Sequence, residues 1–237
     1  MTDEGKGDTE KWIAAKGAKY AYGYDKGGKL SRYFGVNGIP HVVLIDANGV
    51  VLYSGGAGGY SEELLRKATA GALTKPLWEW TAAAKNVKSA LLKQQFKVAI
   101  DEAAKLGEPD GGPGIKASLE GMVKAKVELM KEAYKKGDFL GAETAAKDLQ
   151  KDLAGLPEQA EAVKTAADIA ANTAAEPVLK NQRQIAKIRE KAPTKRKEIE
   201  AAIEDLTKIR KSASGTYAAE EADALTLQLR ATLNRNK

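Results

Sequence analysis

Few residues in this chain could do bond-making chemistry, and their scarcity narrows the function before any fold is considered. The sequence has no cysteine and one histidine, His41. Disulfides, thiolate nucleophiles and cysteine-based metal sites are therefore excluded, and so are histidine-rich metal sites. No metal, no cofactor and no catalytic residue is expected. The glycine run Gly55–Gly59 (GGAGG) invites a phosphate-cradle reading, but no Lys-Ser/Thr follows it and it does not open a βαβ unit. It reads as a flexible loop leading into a helix. Carboxylates are plentiful in stretches such as KEIEAAIEDL, at spacings that suit solvated salt-bridge faces, so no acid–base pair is assigned. Trp78 and Trp80 are two apart and point in different directions if helical, which suits packing at a junction better than stacking on a ligand.

The elements that must hold these residues follow from composition. The 237 residues are 43% hydrophobic and 30% charged, a balance that can build a real core. Aromatics are sparse, while Ala and Lys recur, which favours helices with small-residue contacts. The net charge is +6, but the cations are interleaved with acids, as in KEIEAAIEDLTKIRK. Such interleaving points to solvated helix faces, and no nucleic-acid partner is expected. No segment approaches the run of about 20 apolar residues that spans a membrane. The first residues, MTDEGKGDTE, have neither the basic nor the apolar region of a signal peptide.

The text changes character near Leu73–Pro76. Before it, a helix is predicted from Asp8 or Thr9 to Lys16, stopped by Gly17. Lys19–Asp25 (KYAYGYD) alternates aromatics and reads as a strand, and Lys29–Phe34 reads as a short helix ended by Gly35. The apolar run His41–Asp46 reads as a buried strand, Asn48-Gly49 as a hairpin turn and Val50–Ser54 as the return strand. Ser61 is a good cap for a following helix. After Pro76 about six or seven helices are predicted: one carrying Trp78 and Trp80, one over Ser89–Leu106, one over Ile115–Lys136, one capped by Asp138, and others starting near Pro157, Pro177, Pro193 and Thr216. The hairpins YKKGDFLGAETAAKDLQKDL and KIRKSASGTYAAEEADALTLQL, with a Gly turn and small residues between helices, resemble tetratricopeptide-like units. An irregular helical bundle is the alternative.

One stretch carries a resemblance. In YFGVNGIPHVVLIDANGVVLYSGG, the pieces Val36-Asn37-Gly38-Ile39-Pro40, Leu44-Ile45-Asp46, Gly49, Val51 and Gly55-Gly56 stand in the order and spacing of the redoxin branch of the thioredoxin fold. They are similar in particular to TlpA-type thiol-disulfide reductases. The resemblance covers roughly Met1 to Leu73. It implies an α/β fold class for that part, the C-terminal part of a thioredoxin-like domain over 1–73, followed by an all-α helical region over 76–237. It also implies that the Ile39–Pro40 peptide is cis, that Ile39 and Pro40 form a peptide-binding loop, and that His41 is either an accessory residue near that loop or a plain strand-start histidine. The compartment it implies is the bacterial cell envelope or periplasm.

The family's Cys-x-x-Cys motif and the central strands around it have no counterpart here. Two readings follow. As it stands, the chain is expected to bind a protein or peptide partner without catalysis, through the proline loop or the helical surface. In the other reading, it is a fragment of an active thiol-disulfide oxidoreductase whose Cys-x-x-Cys segment lies upstream of Met1.

Overall fold

The computed structural model describes residues 5–17, 23, 25, 27–36, 38–46, 51–69, 72, 77–191 and 193–235. The chain divides into two compact units, residues 1–72 and 73–237. The first is a small α/β unit and the second is helical.

In the first unit, helix α1 (Lys6–Lys16) closes on Gly17, whose φ of 60° suits a residue without Cβ. It starts two residues before the expected cap and has no side-chain cap, with Gly5 at that position. Helix α2 (Lys29–Tyr33) follows the glycine pair 27–28. Strands β1 (His41–Ile45) and β2 (Val51–Gly56) pair antiparallel, with His41 opposite Gly56 and Val43 opposite Ser54. The register shifts between Leu44 and Ile45, so the hairpin carries an irregularity that increases its twist. Among the described residues this two-stranded ribbon is the whole sheet. The predicted strand over 19–25 and the Asn48-Gly49 turn lie outside the described residues, Gly23 and Asp25 excepted. Helix α3 (Glu62–Thr69) packs against β1. Its cap is Ser61, whose hydroxyl accepts the Leu64 N–H at 3.1 Å.

The helical unit departs from its sequence pattern at two places. The region expected to start a helix at Pro76 forms two short 3₁₀ turns, Leu77–Glu79 and Ala82–Ala84, separated by an extended Thr81. The single helix expected over 89–106 is two: α4 (Lys85–Leu92) and α5 (Phe96–Ala104), broken at Gln94. Beyond them lie α6 (Gly112–Lys136), α7 (Phe139–Asp152), α8 (Gln159–Ala171), α9 (Ala175–Lys191), α10 (Arg196–Ser212) and α11 (Tyr217–Arg235). Eight α-helices thus stand among the described residues where about six or seven were expected. Pro177 falls in the first turn of α9, where its missing N–H leaves no helical bond unmade.

Packing follows small residues. Helix α6 meets α5, α7 and α8, while α9 packs on α7 and α11, and α10 lies along α11. One core joins Trp80, Val87, Phe96, Leu119, Met130 and Leu153. A second joins Ile185, Ile199, Leu206, Ala218 and Leu225. Ala142, Ile169, Ala175 and Leu179 form a third, smaller core. Trp80 is part of the first helical core, and the Trp78 side chain lies outside what is described.

Candidate functional site

Of the three residues singled out by the sequence, Ile39 and Pro40 lie in the loop between α2 and β1, and His41 opens β1. The base of that loop is Asp25, a buried side chain whose carboxylate accepts the Leu30 N–H at 2.9 Å, the Ser31 N–H at 2.8 Å and the Ser31 hydroxyl at 2.7 Å. These bonds satisfy donors that the start of α2 would otherwise leave open. The Ser31 hydroxyl, then the two backbone donors, hold this carboxyl below the ordinary aspartate value. At the other end of α2, Val36 N–H donates to Ser31 O and Gly35 N–H to Arg32 O, a closure that places Gly35 at φ 65°.

The chain then runs through Gly38, Ile39 and Pro40 into β1, with the Ile39–Pro40 peptide in cis. Ile39 is 91% exposed, an extreme value for a large apolar side chain. His41 is half-buried and its Nε2 lies 2.9 Å from Ser54 Oγ. The register explains this: Ser54 faces Val43, so it sits diagonal to His41 on one face of the ribbon. Ser54 in turn donates to the Phe34 carbonyl at 3.4 Å. The ring thus fastens β1, β2 and the end of α2 to one another. With its hydroxyl proton directed to Phe34, Ser54 is left to accept from the Nε2–H tautomer of His41.

The glycine run after β2 has a steric role. The Tyr53 phenol donates to Gly56 O at 2.7 Å and its ring meets Tyr60 edge-on at 5.8 Å. A Cβ at Gly55 would lie 2.7 Å from the Tyr53 oxygen, and one at Gly59 would collide with the same atom. The glycines make room for Tyr53, which the expectation of a plain flexible loop missed.

In the helical unit the most elaborate polar cluster centres on Gln182, which is 1% exposed. Its Oε1 accepts the Leu140 N–H at 3.0 Å, and its amide nitrogen reaches Asp138 Oδ1 and Glu221 Oε2, each at 3.3 Å. Glu221 also accepts Arg189 at 2.9 Å, and Asp138 caps α7 through the Gly141 N–H at 2.9 Å. Tyr217 lies close by, and burial followed by the Asp138 and Glu221 charges pushes its phenol above the ordinary tyrosine value. Each polar atom of Gln182 has a partner, so the cluster clasps α7, α9 and α11 together.

Among the described residues no group of His, Asp and Glu side chains is placed to hold a metal ion, and no helix is long and apolar enough to cross a membrane. Sequence reasoning named Ile39, Pro40 and His41 but missed Asp25, Ser54 and Gln182. For Asp25 the available signal was its place just before a Gly-Gly break and a short helix. For Ser54 it was the alternation of VVLYS opposite HVVLI. Comparison with known proteins adds no identity: no family model, no curated protein and no solved structure matches the chain.

Proposed function

We propose that the first unit derives from a thioredoxin-like domain of the TlpA type, and that this chain holds a protein partner at its Gly38–His41 loop without thiol chemistry. The observation that carries the binding reading is Ile39, a large aliphatic side chain left 91% exposed beside a fastened strand start. Asp25, Ser31, Ser54 and His41 brace the segments on either side of it. An extended segment could lie across such a loop, with Ile39 and Pro40 supplying apolar contact. Exchange of disulfides needs a thiolate, and the sequence has none.

The test is a titration of the full chain with an unfolded, carboxymethylated protein, followed by NMR. Amide signals of Ile39, His41 and Ser54 should move, and Ile39→Asp should abolish the movement. Unmoved signals at these three positions, or measurable insulin reduction by the cysteine-free chain, would overturn the reading.

A second reading is favoured by one observation. Among the described residues of the first unit, Ala68 is the one fully buried apolar side chain. An isolated two-stranded ribbon is marginal in water and needs further strands or helices over it. In this reading those strands, and a Cys-x-x-Cys segment, come from sequence upstream of Met1, and the complete protein is an active thiol-disulfide oxidoreductase. Intact mass of the protein from its native source separates the two: 25.3 kDa supports the binding protein, and a clearly larger mass with upstream peptides supports the enzyme.

A further inference from the structure

Helix α4 ends in a turn in which Gln94 N–H donates to Leu91 O at 2.9 Å and Gln95 N–H to Ala90 O at 3.0 Å. This closure forces the residue between into the left-handed region. Gln94 has φ 58° and is the one non-glycine residue with positive φ among those described. Helix α6 ends in the same pattern, with Asp138 N–H to Ala133 O at 2.9 Å and Gly137 N–H to Tyr134 O at 3.1 Å, and there the left-handed residue is glycine. Glycine takes this conformation without steric cost, so a glutamine here is held against local preference.

That turn forms one lip of an open groove of about 260 Å³. Lys151, Asp152 and Ala154, at the end of α7, form the other. Val98 of α5 lines the groove and is 47% exposed, and Leu92, next to the lip, is 73% exposed. Lys93, Lys97 and Lys151 surround it. Lys97 pairs with Asp101, whereas Lys93 and Lys151 form no salt bridge with any described residue. Asp152 is the only carboxylate in the lining; burial, with the nearby Asp148 charge, pushes it above its ordinary value, opposed by the Lys126 and Lys151 charges.

We propose that this groove docks an acidic peptide segment of a partner protein, an apolar side chain resting against Val98 and Leu92 while carboxylates meet Lys93 and Lys151. The charge complementarity is direct: Lys93, Lys97 and Lys151 line a groove with a single carboxylate, and neither Lys93 nor Lys151 is held in a salt bridge with a described residue, although the Lys151 charge acts on Asp152. A nucleic-acid backbone would match the charge but bring no aliphatic group to the exposed Leu92 and Val98. The amides of Gln94 and Gln95 line the same lip and offer hydrogen bonds to an extended backbone. This inference rests on the helical unit alone and stands whether or not the first unit binds anything.

The experiment uses the full chain and fluorescence anisotropy of a labelled twelve-residue peptide, two leucines flanked by Glu and Asp. Controls are its Gln/Asn twin and a short DNA duplex. The acidic peptide should bind more tightly than its amide twin, and Lys93→Glu with Lys151→Glu should weaken it about tenfold or more. Val98→Asp should weaken it as well, with the thermal melt of each variant unchanged. Gln94→Gly should lower affinity while the fold becomes more stable. Equal affinity for the two peptides, no binding of the acidic one, or charge reversals that leave its affinity intact would overturn the proposal. Tighter DNA binding, lost in step with the same lysines, would reassign the groove to a polyanion and overturn it too.

Discussion

The two units place their apolar residues in opposite ways. Among the described residues of the first, Trp12, Leu30, Tyr33, Ile39, Ile45, Val51 and Leu65 are exposed and only Ala68 is fully buried and apolar. In the second, Phe96, Leu119, Leu153, Ile185, Ile199 and Leu206 are buried at 0% exposure, and exposed large apolars are few. The difference follows from backbone chemistry. A helix satisfies its own N–H and C=O groups and needs only one covered stripe, so helices can be added one at a time around Ala contacts. A strand needs neighbours for its hydrogen bonds and layers for its faces, and among the described residues β1 has one neighbour. Among the described residues the helical unit therefore encloses its large apolar side chains, whereas the α/β unit leaves most of its own exposed.

The largest effect that tests this contrast is core truncation. Phe96→Ala should cost about 3–5 kcal/mol, because its side chain is fully enclosed beneath α6 and leaves a cavity. Ile39→Ala should change stability by no more than about 0.5 kcal/mol, since the side chain is nearly all in solvent. Urea unfolding of both variants measures the difference. Comparable losses would mean that Ile39 is covered in solution and that the contrast between the units is false.

How much of this could be read in the sequence depends on the range of the interactions involved. The helical hairpins around Gly137-Asp138 and Gly215 were legible because turn glycines, an Asp cap and small-residue spacing are local signals. The β1–β2 pair was legible from two apolar runs separated by turn residues. The break between α4 and α5 was not, because Gln94 carries no turn signature and its left-handed conformation is imposed by the packing of Val87, Leu91 and Phe96 into one core. Gln182 was equally silent: its partners are 39 to 45 residues away, and a glutamine on a helix normally faces water. At the proposed site, Ile39, Pro40 and His41 were named through a motif. The Asp25 and Ser54 bonds that brace them come from side chains that only the folded register brings close.

A smaller effect sharpens the helical side of the comparison. Gln94 and Gly137 occupy the same place in the same turn, so exchanging their residue types isolates the cost of the left-handed backbone. Gln94→Gly should stabilise the chain by about 0.5–1 kcal/mol, the steric relief being partly offset by the greater freedom of glycine when unfolded. Gly137→Gln should destabilise it by about 1 kcal/mol, as its Cβ would meet Tyr217 at an ordinary 3.7 Å and only the backbone is strained. Thermal or urea melts read both signs. If Gln94→Gly destabilises, the side chain makes a contact that outweighs its backbone cost, and the groove lip is structural.

The smallest expected effect is local and lies in the first unit. Asp25 accepts three hydrogen bonds that favour its charged form, led by the Ser31 hydroxyl, so its folded pKa lies below the unfolded value. A depressed carboxyl contributes stability that is fully present above the ordinary aspartate range and is lost as pH falls through the depressed value. Loosening of α2 on acidification should therefore begin below the ordinary aspartate pKa. The Leu30 and Ser31 amide signals should shift together there, ahead of any change in the helical unit. Asp25→Asn should remove that step, because the amide accepts without titrating. Amide titration by NMR decides the point: a midpoint at or above the ordinary aspartate value would mean that the carboxylate is not held by Ser31 and that the brace beneath the Ile39 loop is absent in solution.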